Sequence, residues 1–233
     1  MDPISVIRDR SEIQVNEFVR KVYNWMAVGL AFTGIIAYYV SQNSDLLRAV
    51  SSPIIQIMLF LAIIGLVVFI SGMVNRMSAG TATGLFVIYS ALMGVFLAPI
   101  FIVYTQASIT RTFFICAGTF VGCSIYGWTT KKDLTSLGGF FMMGLIGIII
   151  ASLVNIFIHS NAMTMIISYI GVIVFVGLTA YDTQKMKDMA LTQPAGLDGE
   201  VVQKGAILGA LSLYLDFINL FLMLLRIFGQ SRD

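Results

Sequence analysis

Two aspartates stand in or at the edge of long apolar stretches of this 233-residue chain. Asp182 ends the run Leu-Thr-Ala-Tyr-Asp, and Asp216 lies inside a second run, Leu-Tyr-Leu-Asp-Phe-Ile-Asn-Leu. A carboxylate near the centre of a bilayer costs roughly 2.5 to 3.5 kcal/mol on insertion scales, so such residues normally face a bundle interior or a wet cavity. The pair is therefore the candidate functional site, with helix capping or helix joining as the alternative role of each residue.

Two carboxylates can share a proton or bind a cation. Held close together in a medium of low dielectric constant, they cannot both ionise at low cost, so they titrate as a coupled pair. A shared proton gives a compact closed arrangement, and its loss leaves two like charges that repel each other or recruit a cation. Calcium takes roughly six to eight oxygen ligands, so backbone carbonyls and water would have to complete a transient site at Asp182 and Asp216. We expect no resident cofactor.

The composition indicates a membrane protein. Hydrophobic residues make up 58% of the chain and charged residues 11%, and the mean hydropathy is +0.91, which excludes an ordinary soluble surface. The formal net charge is only +2 and the basic residues are scattered, so the sequence has no nucleic-acid-binding patch. Cys116 and Cys123 lie seven positions apart in one apolar run and are expected to be packing residues without a disulfide.

Seven apolar runs have about the length needed to cross a hydrocarbon layer of roughly 30 Å. They predict an all-α membrane protein with spans at residues 22–40, 53–74, 82–104, 112–128, 138–158, 163–181 and 205–228. Residues 1–21 are expected to form a charged cytoplasmic tail, either a membrane-surface helix or disordered. Residues 22–228 form a single transmembrane domain in this interpretation, and residues 229–233 form a C-terminal tail.

The last apolar run is predicted to be the central helix of the bundle. Gly205 and Gly209 have the spacing that lets helices approach closely, and Ser212, Asp216 and Asn219 follow on a related face. Polar residues on such a helix are expected to support the aspartate pair.

Lysine and arginine positions predict the orientation. With the N-terminus inside, ten of these residues fall on the cytoplasmic side and four on the outer side, as the positive-inside rule requires. Seven spans then place the C-terminus outside, whereas a re-entrant last run would return it inside. The long connection at residues 182–204 is cytoplasmic in both cases. His159, in a short outer loop, is interpreted as a solvated interfacial residue.

Two segments resemble the Bax inhibitor-1 (transmembrane Bax inhibitor motif) family: residues 171–185, GVIVFVGLTAYDTQK, and residues 209–221, GALSLYLDFINLF. The similarity covers nearly the whole chain, including the KKDL sequence at 131–134, and resembles the bacterial inner-membrane branch. It implies a seven-helix fold with a central last helix and a pH-sensitive calcium leak regulated by two aspartates, which Asp182 and Asp216 match. It also implies that Arg76 can latch the pair.

Tyr181 is a further candidate supporting residue, since it directly precedes Asp182. Some relatives carry an acidic residue in the second helix, whereas residues 53–74 here contain none. With the resemblance, the expected location is a bacterial inner membrane with a periplasmic C-terminus. The expected partners are the lipid bilayer and calcium ions.

Two alternatives belong to other functional classes. The charged N-terminal tail would allow a non-transporting interaction protein that modulates a membrane-bound quality-control protease. An intramembrane aspartyl protease also places two aspartates on late helices, the first after a tyrosine as in Tyr181-Asp182. Here Asp216 follows Leu-Tyr-Leu instead of Gly-x-Gly, and no Pro-Ala-Leu motif comes after it. We therefore expect the chain not to be an enzyme.

Overall fold

The computed structural model describes residues 3–192 and 198–232, with side chains described from residue 15 onward. Within these residues, seven helical stretches are long and apolar enough to cross a membrane. The predicted all-helical, seven-span fold is thereby confirmed. The helices are α1 (Pro3–Gln42), α2 (Ser44–Val50), α3 (Pro53–Met73), α4 (Ala79–Leu97), α5 (Ile100–Val103), α6 (Gln106–Thr129), α7 (Thr135–Ile158), α8 (Asn161–Thr192) and α9 (Gly199–Phe228), with a 3-10 turn at Val74–Arg76.

The predicted loop at residues 182–204 is wrong. Helix α8 continues to Thr192 and α9 begins at Gly199, so Asp182 lies well inside a helix. Apolar length marks only the part of a helix that sits in hydrocarbon, whereas backbone hydrogen bonding continues through polar turns that face water. Pro194 and Gly196, in the connection between α8 and α9, lie outside the described residues.

Three other boundaries differ from the prediction. The tail is not a separate element, because α1 is one continuous helix from Pro3 to Gln42. The short helix α2 occupies a predicted loop, where the side chain of Asn43 accepts hydrogen bonds from two backbone N–H groups at its start. The predicted third span is interrupted between α4 and α5 at Pro99, which has no N–H for the helical ladder.

One compact unit consists of Met1–Val103 together with Asp188–Tyr214. Helix α1 packs closely on α4 at Gly94, where a Cβ would lie 2.7 Å from the carbonyl oxygen of Thr33. The Thr33 hydroxyl donates to the Ser90 carbonyl at 2.8 Å and lies 2.7 Å from the hydroxyl of Tyr214, on α9. Small residues thus allow close helix contact, and polar side chains join three helices inside this unit.

The second compact unit consists of Tyr104–Lys187 together with Leu215–Asp233. It contains α6, α7, most of α8 and the last part of α9. Here too glycines admit neighbouring side chains: Val174 reaches Gly144 of α7, and Met223 of α9 reaches Gly171 of α8. Both candidate aspartates belong to this unit.

The last helix is the most enclosed of the seven spans, as predicted for a central helix. In its most apolar stretch, 72% of the residues are buried, compared with 6 to 39% in the other six spans. A helix that is apolar on all sides and enclosed by protein is expected at the interior of a membrane bundle.

The orientation of the chain stays a prediction, and the helix ends define where to test it. A reporter inserted between Thr192 and Gly199 should report the cytoplasm, and one fused after Asp233 should report the outer side, because of the ten-to-four distribution of basic residues. Paired alkaline phosphatase and green fluorescent protein fusions measure this. A cytoplasmic signal from the C-terminal fusion would contradict the seven-span topology.

Candidate functional site

The two aspartates meet inside the second unit. The carboxyl groups of Asp182, on α8, and Asp216, on α9, lie within hydrogen-bonding reach of each other. Asp216 is 5% exposed, and its Oδ2 is buried with no hydrogen-bond partner among the described residues. Asp182 is half-buried. The arrangement offers a shared proton position and one free carboxylate oxygen.

Helix length explains how the aspartates can meet. The apolar runs place Asp182 at a helix end and Asp216 deep in the next helix, an offset of roughly 16 Å at the helical rise. In the structure, α8 continues ten residues beyond Asp182, about 15 Å. Helix α9 begins seventeen residues before Asp216, about 25 Å. Residues 183–192 of α8 and 199–204 of α9 are thus helical turns that lie outside the predicted apolar runs.

The residues on either side of Asp182 fix the rotation of α8. The Tyr181 ring packs against Gly138 of α7, where a Cβ would lie 2.5 Å from the ring. The Thr183 hydroxyl lies 3.4 Å from the Ser124 hydroxyl of α6. These two contacts on opposite sides leave Asp182 facing away from both helices. The supporting role of Tyr181 in function stays a prediction.

A second glycine brings α8 into backbone contact with α6. A Cβ on Gly127 would collide with the carbonyl group of Ala180, two residues before Asp182. Sequence reasoning missed Ser124 and Gly127 as positioning residues. The available signal was the series of small residues along α6, which includes four with i, i+4 spacing or its multiples: Ser108, Thr112, Cys116 and Ser124.

Aromatic packing fixes the rotation of α9 beside Asp216. Phe217 lies between two rings of α6, Phe113 and Phe120, with ring centroids 5.5 Å away in each case. The Cys116 thiol donates to the Phe217 carbonyl at 3.6 Å. Both cysteines are free, as expected. The contacts of Phe217 therefore help to hold Asp216 in place beside Asp182.

A polar clamp ties α8 to the connection between α6 and α7, one turn beyond Asp182. The Gln184 amide accepts from the Leu134 N–H and donates to the Lys132 carbonyl, each at 2.8 Å. The Lys187 ammonium donates to the Trp128 carbonyl at 2.7 Å and lies over the Trp128 ring. No sequence motif indicated this clamp, because it depends on how the helices are rotated.

Asp133, in the same connection, provides a contrasting carboxylate. Its side chain accepts a hydrogen bond from the Thr135 N–H at 2.8 Å. Hydrogen bonding to Thr135, through the side chain and the backbone, holds the pKa of Asp133 below its ordinary value of 3.8. Asp133 therefore stays ionised throughout the neutral pH range, outside the membrane spans.

The charged groups that act on Asp182 are Lys185, three residues further along α8, and Asp216. Arg76 ends the 3-10 turn after α3 in an exposed position. Within the described part of the chain it forms no ion pair. Its role as a latch stays a prediction.

Comparison with known proteins identifies the family. The family model described as inhibitor of apoptosis-promoting Bax1 matches residues 15–233. The chain is 49% identical to inner membrane protein YbhL of Escherichia coli, over 98% of this chain and 97% of that protein. This chain belongs to the Bax inhibitor-1 family. Within it, uncharacterized proteins of Borreliella burgdorferi and Deinococcus radiodurans are 47% and 43% identical, over 99% and 98% of their lengths.

The other polar residues of interest in this Bax inhibitor-1 family protein are Asn219, Ser212 and His159. The Asn219 amide donates to the Leu215 carbonyl of α9 at 2.8 Å. Ser212 belongs to the first unit. Their supporting roles stay predictions. His159 ends α7 with a left-handed backbone, φ 55°, and its ring lies 3.2 Å from the Phe157 carbonyl.

The composition of the site limits which cations it can bind. Across residues 3–192 and 198–232, no three His, Cys, Asp or Glu residues form a cluster able to hold a metal ion. A calcium ion between Asp182 and Asp216 would meet at most four carboxylate oxygens, so water or backbone carbonyls would have to supply its other ligands. Such a sparse ligand set favours transient over tight binding.

The close approach of α8 to α6 predicts a difference between two glycines of the same helix. Gly127→Ala should lower the free energy of unfolding of the detergent-solubilised protein by about 1–3 kcal/mol, because the new methyl group meets the Ala180 backbone. The variant should therefore unfold at a lower temperature. Gly118→Ala is the matched control, since no atom lies within 4 Å of its Cβ position. Thermal unfolding followed by size-exclusion chromatography measures both. Equal stability of the two variants would contradict the described α6–α8 contact.

Proposed function

We propose that this protein is a pH-sensitive cation leak of the inner membrane, with calcium as the permeant ion and the Asp182–Asp216 pair as its gate. The observation that carries the proposal is the contact between the two carboxyl groups, one of which keeps a buried oxygen without a partner. Ionisable groups inside membrane spans commonly mark ion or proton pathways. The name of the Escherichia coli relative supports the inner-membrane location.

The direction of the pH response follows from the charge of the pair. At lower pH one proton is shared between the carboxyl groups, so α8 and α9 are held together by a hydrogen bond. At higher pH this proton leaves, and two like charges in a low-dielectric site repel each other or attract a cation. Proton loss therefore opens the pathway, and calcium flux rises with pH.

The ligand geometry supports permeation rather than storage. The pair offers few oxygens compared with the roughly six to eight that calcium prefers, so the ion keeps part of its water shell. Conduction requires binding that is favourable enough for entry and weak enough for release. Helix α3 contains no acidic residue, so the pair acts without a carboxylate from that helix.

Calcium flux in proteoliposomes tests this gate directly. The parent protein should show flux that increases with pH, and Asp182→Asn or Asp216→Asn should flatten this dependence, because neither variant can share or lose the same proton. A calcium-sensitive dye inside the vesicles records the initial rate at each pH. Normal insertion of each variant is checked by protease protection.

Asp133→Asn is the matched control, since Asp133 is a carboxylate of the same unit outside the spans and is already ionised at neutral pH. It should leave the midpoint of the pH profile unchanged. An unchanged profile in both pair variants would refute the gate. Absence of flux in the parent at every pH would refute the leak itself.

Arg76 is proposed to favour the closed state. The turn that carries it is tied to the first turns of α9: the Ala79 N–H donates to Glu200 at 3.1 Å, and the Lys204 ammonium donates to the Met77 carbonyl at 3.2 Å. Asp216 lies on the same helix α9. The alternative is that Arg76 only anchors the helix end at the lipid headgroups.

Two substitutions separate the latch from the anchor. Arg76→Ala should raise flux at low pH by roughly two- to fivefold, the effect of one exposed charge interaction. Arg76→Lys keeps the charge but loses the planar guanidinium, so it should restore closure only in part. Lys131→Ala, an exposed basic residue in another connection, is the control. Parent-like flux in both Arg76 variants would leave Arg76 as an anchor.

A further inference from the structure

A line of small polar residues on α6 faces the last part of α9 inside the second unit. Ser108, Thr112 and Cys116 are spaced four residues apart, so they share one face of the helix. The Ser108 hydroxyl accepts the N–H of Gln230 at 3.0 Å, and the Cys116 thiol contacts the Phe217 carbonyl at 3.6 Å. Thr112 lies between these two contacts. We call this contact region the α6–α9 seam.

The Thr112 hydroxyl has no hydrogen-bond partner among the described residues, although the residue is 0% exposed. Threonines elsewhere on α6 donate to the carbonyl four residues earlier, as Thr119 does to Ile115 at 2.9 Å. Leaving a buried hydroxyl unpaired is unfavourable, and such groups in native proteins usually bind water or an ion. In the described part of the second unit, the other such atom is Asp216 Oδ2.

Members of one aromatic cluster are the chain neighbours of both unpaired groups: Phe217 follows Asp216, and Phe113 follows Thr112. Phe217, next to Asp216, contacts Phe113 and Phe120, and Phe113 also contacts Phe221 at 6.4 Å between ring centroids. Cys116 lies at the level of Phe217, and Thr112 lies one turn closer to the C-terminal end of α9. Apolar rings at such a position can block ions by excluding water.

The chain covers the far end of the seam with its own C-terminal segment. The Thr105 N–H donates to the Gln230 carbonyl at 3.1 Å, and Tyr104 pairs with Ser231 in an antiparallel bridge. The Tyr104 ring also packs against Gly229, where a Cβ would lie 2.5 Å from it. Backbone hydrogen bonds and the Tyr104 ring therefore cover the seam at the C-terminal end of α9.

We propose that Thr112 is a water- and cation-binding position in the half of the pathway that leads from the Asp182–Asp216 pair to the C-terminal end of α9, with the Phe217 cluster as the barrier between them. The predicted effects of Thr112 on calcium flux rest on the proposed leak. The polar groups of Thr112 and Ser108 replace part of the water shell of an ion that has passed the rings.

The first test uses calcium flux at a single pH with two threonines of the same helix. Thr112→Val keeps the side-chain shape but removes the hydroxyl, so flux should fall by about threefold to tenfold, the size expected for one lost hydrogen bond. Thr112→Ser keeps the hydroxyl and should retain parent-like flux. Thr119→Val, whose hydroxyl bonds within its own helix, is the control and should change flux little.

The second test needs no flux, because Cys116 is a native probe inside the seam. In a Cys123→Ser background, a small cationic methanethiosulfonate reagent should label Cys116 slowly. Phe217→Ala should speed this labelling by about tenfold or more as water enters past the missing ring, and the milder Phe217→Leu should act in the same direction. A Cys116→Ser background reports Cys123 alone, which should not respond.

The two tests separate failure of this assignment from failure of the leak. If the parent carries no calcium, the leak is refuted and the labelling still decides whether the seam is a water-accessible route. Equal flux in the valine variants of Thr112 and Thr119 would overturn the role of Thr112. Cys116 labelling that is the same with and without the Phe217 ring would overturn the barrier.

Discussion

The close placement of two carboxyl groups between α8 and α9 is the constraint on which the rest of the second unit depends. Burying two acids beside each other is costly, so the pair persists only where both helices are held in fixed rotation. Contacts of the flanking residues provide this: Tyr181 and Thr183 hold one helix, and Phe217 holds the other. The aspartates themselves contribute little packing. The contacts of the neighbouring residues determine where the two carboxyl groups lie.

Helix α9 links the site to the rest of the chain, because its residues are shared between the two units. Its first turns hold the connection after α3 through Glu200 and Lys204, and its Tyr214 hydroxyl bonds to Thr33. Asp216 follows only two residues after Tyr214. This buried helix therefore makes specific polar contacts in addition to apolar packing. Within the first unit, these polar contacts limit how far the first turns of the helix can rotate.

The sequence was sufficient to predict the seven spans and the enclosed last helix, and the rarity of acids in apolar runs singled out Asp182 and Asp216. That these two side chains meet was expected from the family resemblance, because hydropathy alone placed them at different depths. It was insufficient to predict where α8 ends and α9 begins. Polar turns up to Thr192 and from Gly199 continue the helices beyond the hydrocarbon, where hydropathy carries no signal. Contacts such as that of Thr183 with Ser124 also escaped prediction, because they depend on helix rotation.

The contacts on the two sides of the pair differ in how easily they yield. Helix α8 meets the backbone of α6 at Gly127 and is clamped by Gln184 and Lys187, so a shift would break hydrogen bonds and close backbone packing together. Beside Asp216, α9 is held by aromatic rings and by the weak hydrogen bond of the Cys116 thiol. Ring contacts can re-form after a small rotation, whereas the clamp cannot. In the proposed gate, α9 is therefore the helix that moves when the two like charges repel each other, and its movement displaces Phe217.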